Sequence, residues 1–191
     1  METIKNSQYK VIIENDMNCE SPRTFDNMGT MVCFHRRYDL SDRKHGYTTE
    51  EIRYSEETGK LLGDEPMIFL PVYGYDHGGM SISTTPFSCP WDSGKMGIIY
   101  VKESKVLDEY KRKRMTKALR EKVLNILRAE VEELNKWLHN DTWCYQAYGT
   151  DGILIESVGG FIGREYLDEH LKEYYSDPIE TLMEVAKQAT A

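Results

Sequence analysis

The segment from Leu70 to Tyr100 constrains the fold more than any other part of the sequence. Two apolar runs, from Met67 to Tyr73 and from Met96 to Val101, flank a centre that is dense in Gly, Pro, Ser, His and Asp. Glycine permits backbone conformations that other residues resist, whereas proline fixes its own. The pattern therefore predicts a polar loop of one rigid shape, held between two strands.

Length and composition are those of an ordinary globular protein. The chain has 191 residues, of which 40% are hydrophobic and 29% are charged, and we predict a single α+β domain over residues 1–191. No apolar run approaches the roughly 20 residues that cross a bilayer, and the first residues lack the pattern of a signal peptide. We therefore expect a cytoplasmic protein that has no membrane partner.

Hydrophobic patterning predicts strands first and helices later. The longest predicted helix runs from Thr116 to His139, with apolar residues three and four positions apart. A shorter helix begins after Thr48, whose hydroxyl and Glu51 form a capping pattern. The predicted strands are residues 9–14, 30–35, 67–73, 80–83 and 97–101. Pro71 inside the third strand indicates a sheet edge or a bulge.

The C-terminal third begins with a predicted hairpin. Residues 142–148 and 153–158 flank a turn that carries the Asp-Gly pair typical of hairpins. One helix follows over about residues 164–175, and Asp177 with Pro178 marks the start of a second. The order predicts an α+β fold, with a small, mostly antiparallel sheet on one long amphipathic helix, a C-terminal hairpin and two terminal helices.

His77, Asp92 and Ser93 are the first candidate catalytic residues. Each lies beside glycines in the central segment. An imidazole near a carboxylate and a hydroxyl is the set of groups that general acid–base or nucleophilic chemistry uses, and glycine-rich loops can present N–H groups to a phosphate. The alternative is architectural: Asp92 and Ser93 cap a turn while His77 holds a neighbouring loop.

His35, Arg36 and Arg37 lie at the exit of the second predicted strand and form another candidate cluster. The two guanidinium groups suit phosphate or carboxylate, and His35 joined to His77 would give an acid and a base for cleaving a phosphodiester. In a continuing strand Arg36 and Arg37 face opposite sides, so at most one joins such a site. Pairing of one arginine with a protein carboxylate is the alternative.

Aromatic residues also point to binding. Exposed Tyr75 and Trp91 would stack on bases or anchor a protein partner, whereas buried aromatics would pin the loop to the sheet. Cys89 is either a thiolate nucleophile or a small buried hydrophobe. His and Asp occur without a recognised ligand spacing, so we predict no metal and no cofactor.

Charge is distributed unevenly along the chain. The net charge of −8 argues against bulk binding of nucleic acid. The stretch from Lys102 to Lys122 is nevertheless basic, and the chain after Tyr148 is acidic. The basic stretch is a candidate contact to nucleic acid, or else a solvated helix face. Its four consecutive basic residues are Lys111, Arg112, Lys113 and Arg114.

Several motifs together resemble a family of small proteins encoded by phages and prophages. They are SPR-x-x-DN from Ser21, MVC-x-HRRY from Met31, Y-x-HGG from Tyr75 and PFSCPWDSG from Pro86, and the likeness covers about residues 21–134. The resemblance implies a phage accessory protein in the host cytosol during infection, in a counter-defence context. It implies no particular chemistry.

Two functions are consistent with these observations. The first is an anti-CRISPR-like inhibitor that binds a host defence protein or nucleoprotein complex through charged surfaces, with an acidic tail that imitates phosphate. The second is a phosphodiester-cleaving or nucleotide-directed hydrolase in which His77 acts as base, Asp92 orients it and Arg36 or backbone amides hold the phosphate. The sequence favours the inhibitor slightly.

Overall fold

The chain has an α+β fold, as predicted. The computed structural model describes residues 1–5, 9–42, 44–61 and 65–175, and these residues form four α-helices and two antiparallel sheets. Contacts divide the chain into two compact units. We call residues 21–135 the central unit, and residues 1–20 with 136–191 the terminal unit. The single domain stays a prediction, and each unit is described by itself.

The predicted strands occur in the predicted order, and two short strands that the sequence does not predict, Glu2–Lys5 and Lys60–Leu61, are added to them. The strands are β1 (Glu2–Lys5), β2 (Tyr9–Asn15), β3 (Thr30–Cys33), β4 (Lys60–Leu61), β5 (Glu65–Asp76), β6 (Met80–Ser83), β7 (Ser93–Lys102), β8 (Thr142–Gly149) and β9 (Leu154–Ile162). The helices are α1 (Thr49–Thr58), α2 (Glu103–Glu109), α3 (Lys117–Leu138) and α4 (Arg164–Tyr174). The second terminal helix, predicted from Asp177, lies outside the described residues.

Two sheets replace the one small sheet that the sequence predicts. In the central unit the order is β3-β7-β5-β4, with β6 also paired to β5. In the terminal unit the predicted hairpin β8–β9 continues through β2 to β1. The sequence misses this division because strand pairing over more than a hundred residues, such as Val11 with Ala147, leaves no local signal.

The pairing of β5 contains a bulge on one side and, on the other side, a gap that accommodates Pro71. The register between β5 and β7 shifts between Val72 and Tyr73, and the extra residue on β7 is Met96. On its other side β5 pairs with β4 at residues 65–66 and with β6 at residues 73–76, so Pro71 lies between the two pairings. On that side of β5 no described strand pairs with residue 71, so the missing N–H of proline removes no inter-strand hydrogen bond.

The long helix α3 is anchored to the central unit through a buried carboxylate. Glu130 lies on the apolar face of α3 and accepts hydrogen bonds from the backbone N–H groups of Met28 and Gly29 at 2.8 and 3.2 Å. Its other partner is Arg23 at 2.9 Å, which also contacts Asp42 at 2.7 Å. Burial lowers the pKa of Arg23, but the hydrogen bonds with Asp42 and Glu130 outweigh burial and raise it.

Gly29 allows this loop to approach the helix closely. A Cβ at Gly29 would lie 2.6 Å from the Leu127 side chain and 2.8 Å from a carboxylate oxygen of Glu130. Ser21 Oγ accepts a hydrogen bond from the backbone N–H of Arg23, and the amide of Asn27 donates to the carbonyl of Pro22. The SPR-x-x-DN motif is thus a structural device that fixes residues 21–29 against α3.

The terminal unit has a separate core, in which α4 packs on its sheet. Tyr145 lies at the centre and donates from its hydroxyl to Glu156 at 2.7 Å. The Tyr175 hydroxyl donates to the same carboxylate oxygen, and His170 Nε2 lies 2.9 Å from the Tyr145 hydroxyl. Within the described residues no helix is long and apolar enough to span a membrane.

Replacing Glu130 tests the anchoring of α3. Glu130→Gln removes one partner of a buried ion pair, so we expect the free energy of unfolding to fall by about 3 kcal/mol. Glu132→Gln changes an exposed residue two positions along the same helix and should cost no more than about 0.5 kcal/mol. Urea unfolding of both variants measures the difference. Equal small losses would show that the buried cluster does not anchor the helix.

The pH dependence of the terminal unit follows from Glu156. Hydrogen bonds from Tyr175 and Tyr145 hold its pKa below the ordinary value of 4.5. Because the folded pKa is lower than the unfolded one, the stabilisation is present above pH 4.5 and is lost as the pH falls through the folded pKa.

Glu156→Gln should therefore flatten the acid-side loss of stability. Hydrogen exchange of β8 amides between neutral pH and about pH 3 measures it. Glu169→Gln, at an exposed position of α4, is the control and should keep the wild-type slope. A wild-type slope in Glu156→Gln would contradict the assignment.

Candidate functional site

A cleft at one end of the central sheet is lined by five of the predicted site residues, whereas His77 is not part of its lining. It has a volume of about 360 Å³ and lies where β5 ends and β7 begins. The pairing of Tyr75 with Ser93, and a backbone hydrogen bond of 2.9 Å from Asp76 N–H to the Asp92 carbonyl, bring the two predicted loops together. The cleft is lined by His35, Arg37, Gly74, Asp76, Trp91, Asp92, Ser93, Gly94, Lys95 and Met96.

Asp76 is the hub of the cleft. Its side chain is 17% exposed, and one carboxylate oxygen contacts the Arg37 guanidinium and lies 3.8 Å from His35 Nε2. Strand β3 ends at Cys33, so His35 lies in the chain that follows the strand rather than at its last position as predicted, and Arg37 lies two residues further on. The arginine–carboxylate pairing is the alternative that the sequence left open.

His35 uses both ring nitrogens inside the protein. Its Nδ1 lies 3.3 Å from the backbone N–H of Arg37 and accepts a hydrogen bond from it. The proton of a neutral ring is therefore on Nε2, which faces Asp76. This geometry suits a residue that positions or binds, because Nδ1 already accepts a hydrogen bond and Nε2 faces the Asp76 carboxylate at 3.8 Å.

His77 has the opposite geometry. Its Nδ1 lies 3.3 Å from a carboxylate oxygen of Asp92, and its side chain is 70% exposed. The carboxylate favours the tautomer with a proton on Nδ1, which leaves Nε2 as an acceptor that faces away from Asp92. The ring of Tyr75 stacks against His77 at 6.0 Å and supports its orientation. This His–Asp pair is the arrangement that general-base chemistry requires.

Ser93 and Cys89 close the loop that carries Asp92. The Ser93 hydroxyl donates to the backbone carbonyl of Cys89, and the Cys89 thiol lies 3.9 Å from the same Asp92 oxygen that faces His77. This hydrogen bond within the loop agrees with the architectural alternative, in which Ser93 caps a turn. Ser93 also lines the cleft. Cys89 is partly exposed rather than buried.

The two predicted aromatic residues have different surroundings. Trp91 is 90% exposed and lines the cleft, so a large apolar surface stands at its rim. Tyr75 is partly buried and lies between the rings of His77 and Phe87. The ring centres of Tyr75 and Phe87 are 5.7 Å apart. Trp91 is thus available for stacking, whereas Tyr75 supports the loop.

Other predicted binding residues lie elsewhere. Arg36 is exposed and does not line the cleft. Lys111, Arg112, Lys113 and Arg114 are exposed in the connection between α2 and α3, where Lys111 has φ 50° and its ammonium lies 3.3 Å from Asp108. The structure does not bring this basic connection into the cleft.

Sequence reasoning gave too little weight to three residues of the cleft. Asp76 precedes His77 in the Y-x-HGG motif and contacts both His35 and Arg37. Lys95 and Met96 also line the cleft, and Lys95 pairs with Glu56 of α1. Asp76 could have been found as the acid beside His77, whereas the bulge that places Met96 has no sequence signal.

Neither a metal-ligand cluster among the described residues nor a comparison with known proteins assigns a role to the cleft. Within the described residues, no group of three or more His, Cys, Asp and Glu side chains is arranged to hold a metal ion. Comparison of the chain with family models, with curated proteins and with solved structures finds no match in any of the three.

Proposed function

We propose that the cleft binds and hydrolyses a phosphodiester of a nucleotide or a single-stranded nucleic acid. The observation that supports this most is the His77–Asp92 pair, 3.3 Å apart, in which Asp92 lines a cleft that also holds Arg37 and an exposed Trp91. The phosphate ligand and the base-stacking surface thus line one volume, and the general base is paired with a residue of that lining.

His77 is the general base of the proposed reaction. Its Nε2 takes a proton from a water molecule while Asp92 stabilises the imidazolium that forms. The water oxygen forms a bond to phosphorus and the bond from phosphorus to the leaving ester oxygen breaks. The imidazolium then returns its proton to the leaving oxygen, so protons and bonds balance over the cycle.

Arg37 is the phosphate ligand in this scheme. A guanidinium has five N–H donors, and the contact with Asp76 occupies only part of them. Asp76 and His35 fix the guanidinium at the cleft, because the Asp76 carboxylate contacts both of them. Lys95 adds a second cation to the lining.

Hydrolysis by matched variants tests the proposal. We expect His77→Ala to lower kcat on labelled single-stranded RNA or DNA by about a hundredfold or more, and Asp92→Asn by about tenfold or more. His139→Ala removes an exposed histidine outside the cleft lining and should leave kcat unchanged. Equal activity of His77→Ala and wild type, or no hydrolysis by wild type, would refute the proposal.

An inhibitor of a defence nucleoprotein is the second candidate function. It is favoured by the exposed run Lys111 to Arg114, which is free of the cleft and suited to a phosphate backbone. The acidic end of the chain lies partly in residues 176–191, outside the described residues. A pull-down with purified CRISPR or restriction effectors tests this function. Retention that persists when residues 111–114 are all alanine, or no retention, would refute a role for the basic run.

A further inference from the structure

A second cavity adjoins the charged cleft in the central unit. It is a groove of about 390 Å³ between α1, strand β7 and the two residues that follow β3, Phe34 and His35. The groove and the cleft share His35, Lys95 and Met96 as lining residues. The two volumes therefore form adjacent parts of one concave surface.

The groove differs from the cleft in chemistry. Phe34, Ile52 and Met96 give it an apolar wall, whereas Thr49, Arg53 and Glu56 of α1 give it a polar edge. A flat aromatic group with hydrogen-bonding atoms on its edge matches such a surface better than a phosphate does. A nucleobase has this character.

The order of residues along the chain shows how a ligand would extend. Among the described residues, Trp91 lines only the cleft, Lys95 and Met96 line both volumes, and Gly97 lines only the groove. A strand advances about 3.3 Å per residue, so Ser93 and Gly97 are roughly 13 Å apart. The phosphate site therefore lies between Trp91 on one side and the groove on the other.

The bulge at Met96 produces this arrangement. An extra residue in β7 re-aims the side chains on either side of it, and bulges are common beside active sites. A Cβ at Gly74 would lie 2.5 Å from Met96 Sδ, so the glycine in β5 leaves the space that the bulged side chain fills. Met96 then forms a wall common to both volumes.

We propose that the groove binds the second base of a single-stranded nucleic acid whose phosphodiester lies in the charged cleft and whose first base stacks on Trp91. The proposal rests on the proposed hydrolase function and names its substrate class. The substrate is an internal diester flanked by two bases, rather than a mononucleotide.

Two diesters that differ by one base provide the test. Thymidylyl-thymidine has a base on each side of its phosphate, whereas the methyl ester of thymidine 5′-monophosphate has one. We expect wild type to have a KM for the dinucleotide about tenfold lower than for the methyl diester, as one stacked base would give. Equal KM values would overturn the groove assignment while leaving the hydrolase intact.

Thr49→Trp fills the groove from an exposed position of α1 and should abolish the advantage of the dinucleotide. Glu50→Trp, exposed on the same helix turn but outside the groove lining, should behave as wild type. If circular dichroism shows that Thr49→Trp does not fold, Arg53→Trp replaces it, because that side chain is 74% exposed.

Calorimetric titration of the same two diesters separates the two proposals. If wild type hydrolyses neither compound, the hydrolase proposal fails. Tighter binding of the dinucleotide by wild type, lost in Thr49→Trp, would then still support the groove. Equal binding of both diesters, binding that Thr49→Trp leaves unchanged, or no binding would overturn it.

Discussion

The pairing of β5 with β7 is the constraint on which the central unit depends. Its register places Tyr75 opposite Ser93, and the hydrogen bond from Asp76 N–H to the Asp92 carbonyl extends it by one step. Two loops that are separate in sequence thereby place His77 within 3.3 Å of Asp92. Without this register there would be a glycine-rich surface but no His–Asp pair.

Two carboxylates of the central unit have different structural roles. Glu130 is buried and holds residues 21–29 on α3 through Arg23 and two backbone N–H groups. Asp76 is more exposed and fixes the chain after β3 through His35 and Arg37. The first contact stabilises the fold, whereas the second orients groups that face solvent in a cleft.

Local signals in the sequence predict most of the elements. The capping box at Thr48, the apolar spacing of α3 and the Asp-Gly hairpin each act within a few residues, and the structure contains all three elements. The division into two sheets and the bulge at Met96 depend on long-range pairing, which a local pattern does not contain. Glu130 is charged and nevertheless lies on the buried face of α3, because its partners come from a distant loop.

The sequence predicts which residues belong to the candidate site better than it predicts their geometry. Residue chemistry identified His77, Asp92 and Arg37, but it could not show that Nδ1 of His35 accepts a backbone hydrogen bond whereas Nδ1 of His77 faces the Asp92 carboxylate. NMR of the His77 and Trp91 side chains during titration with thymidylyl-thymidine tests the central claim most directly. The account predicts concerted shifts of both resonances; shifts confined to residues 111–114, or none at the cleft, would contradict it.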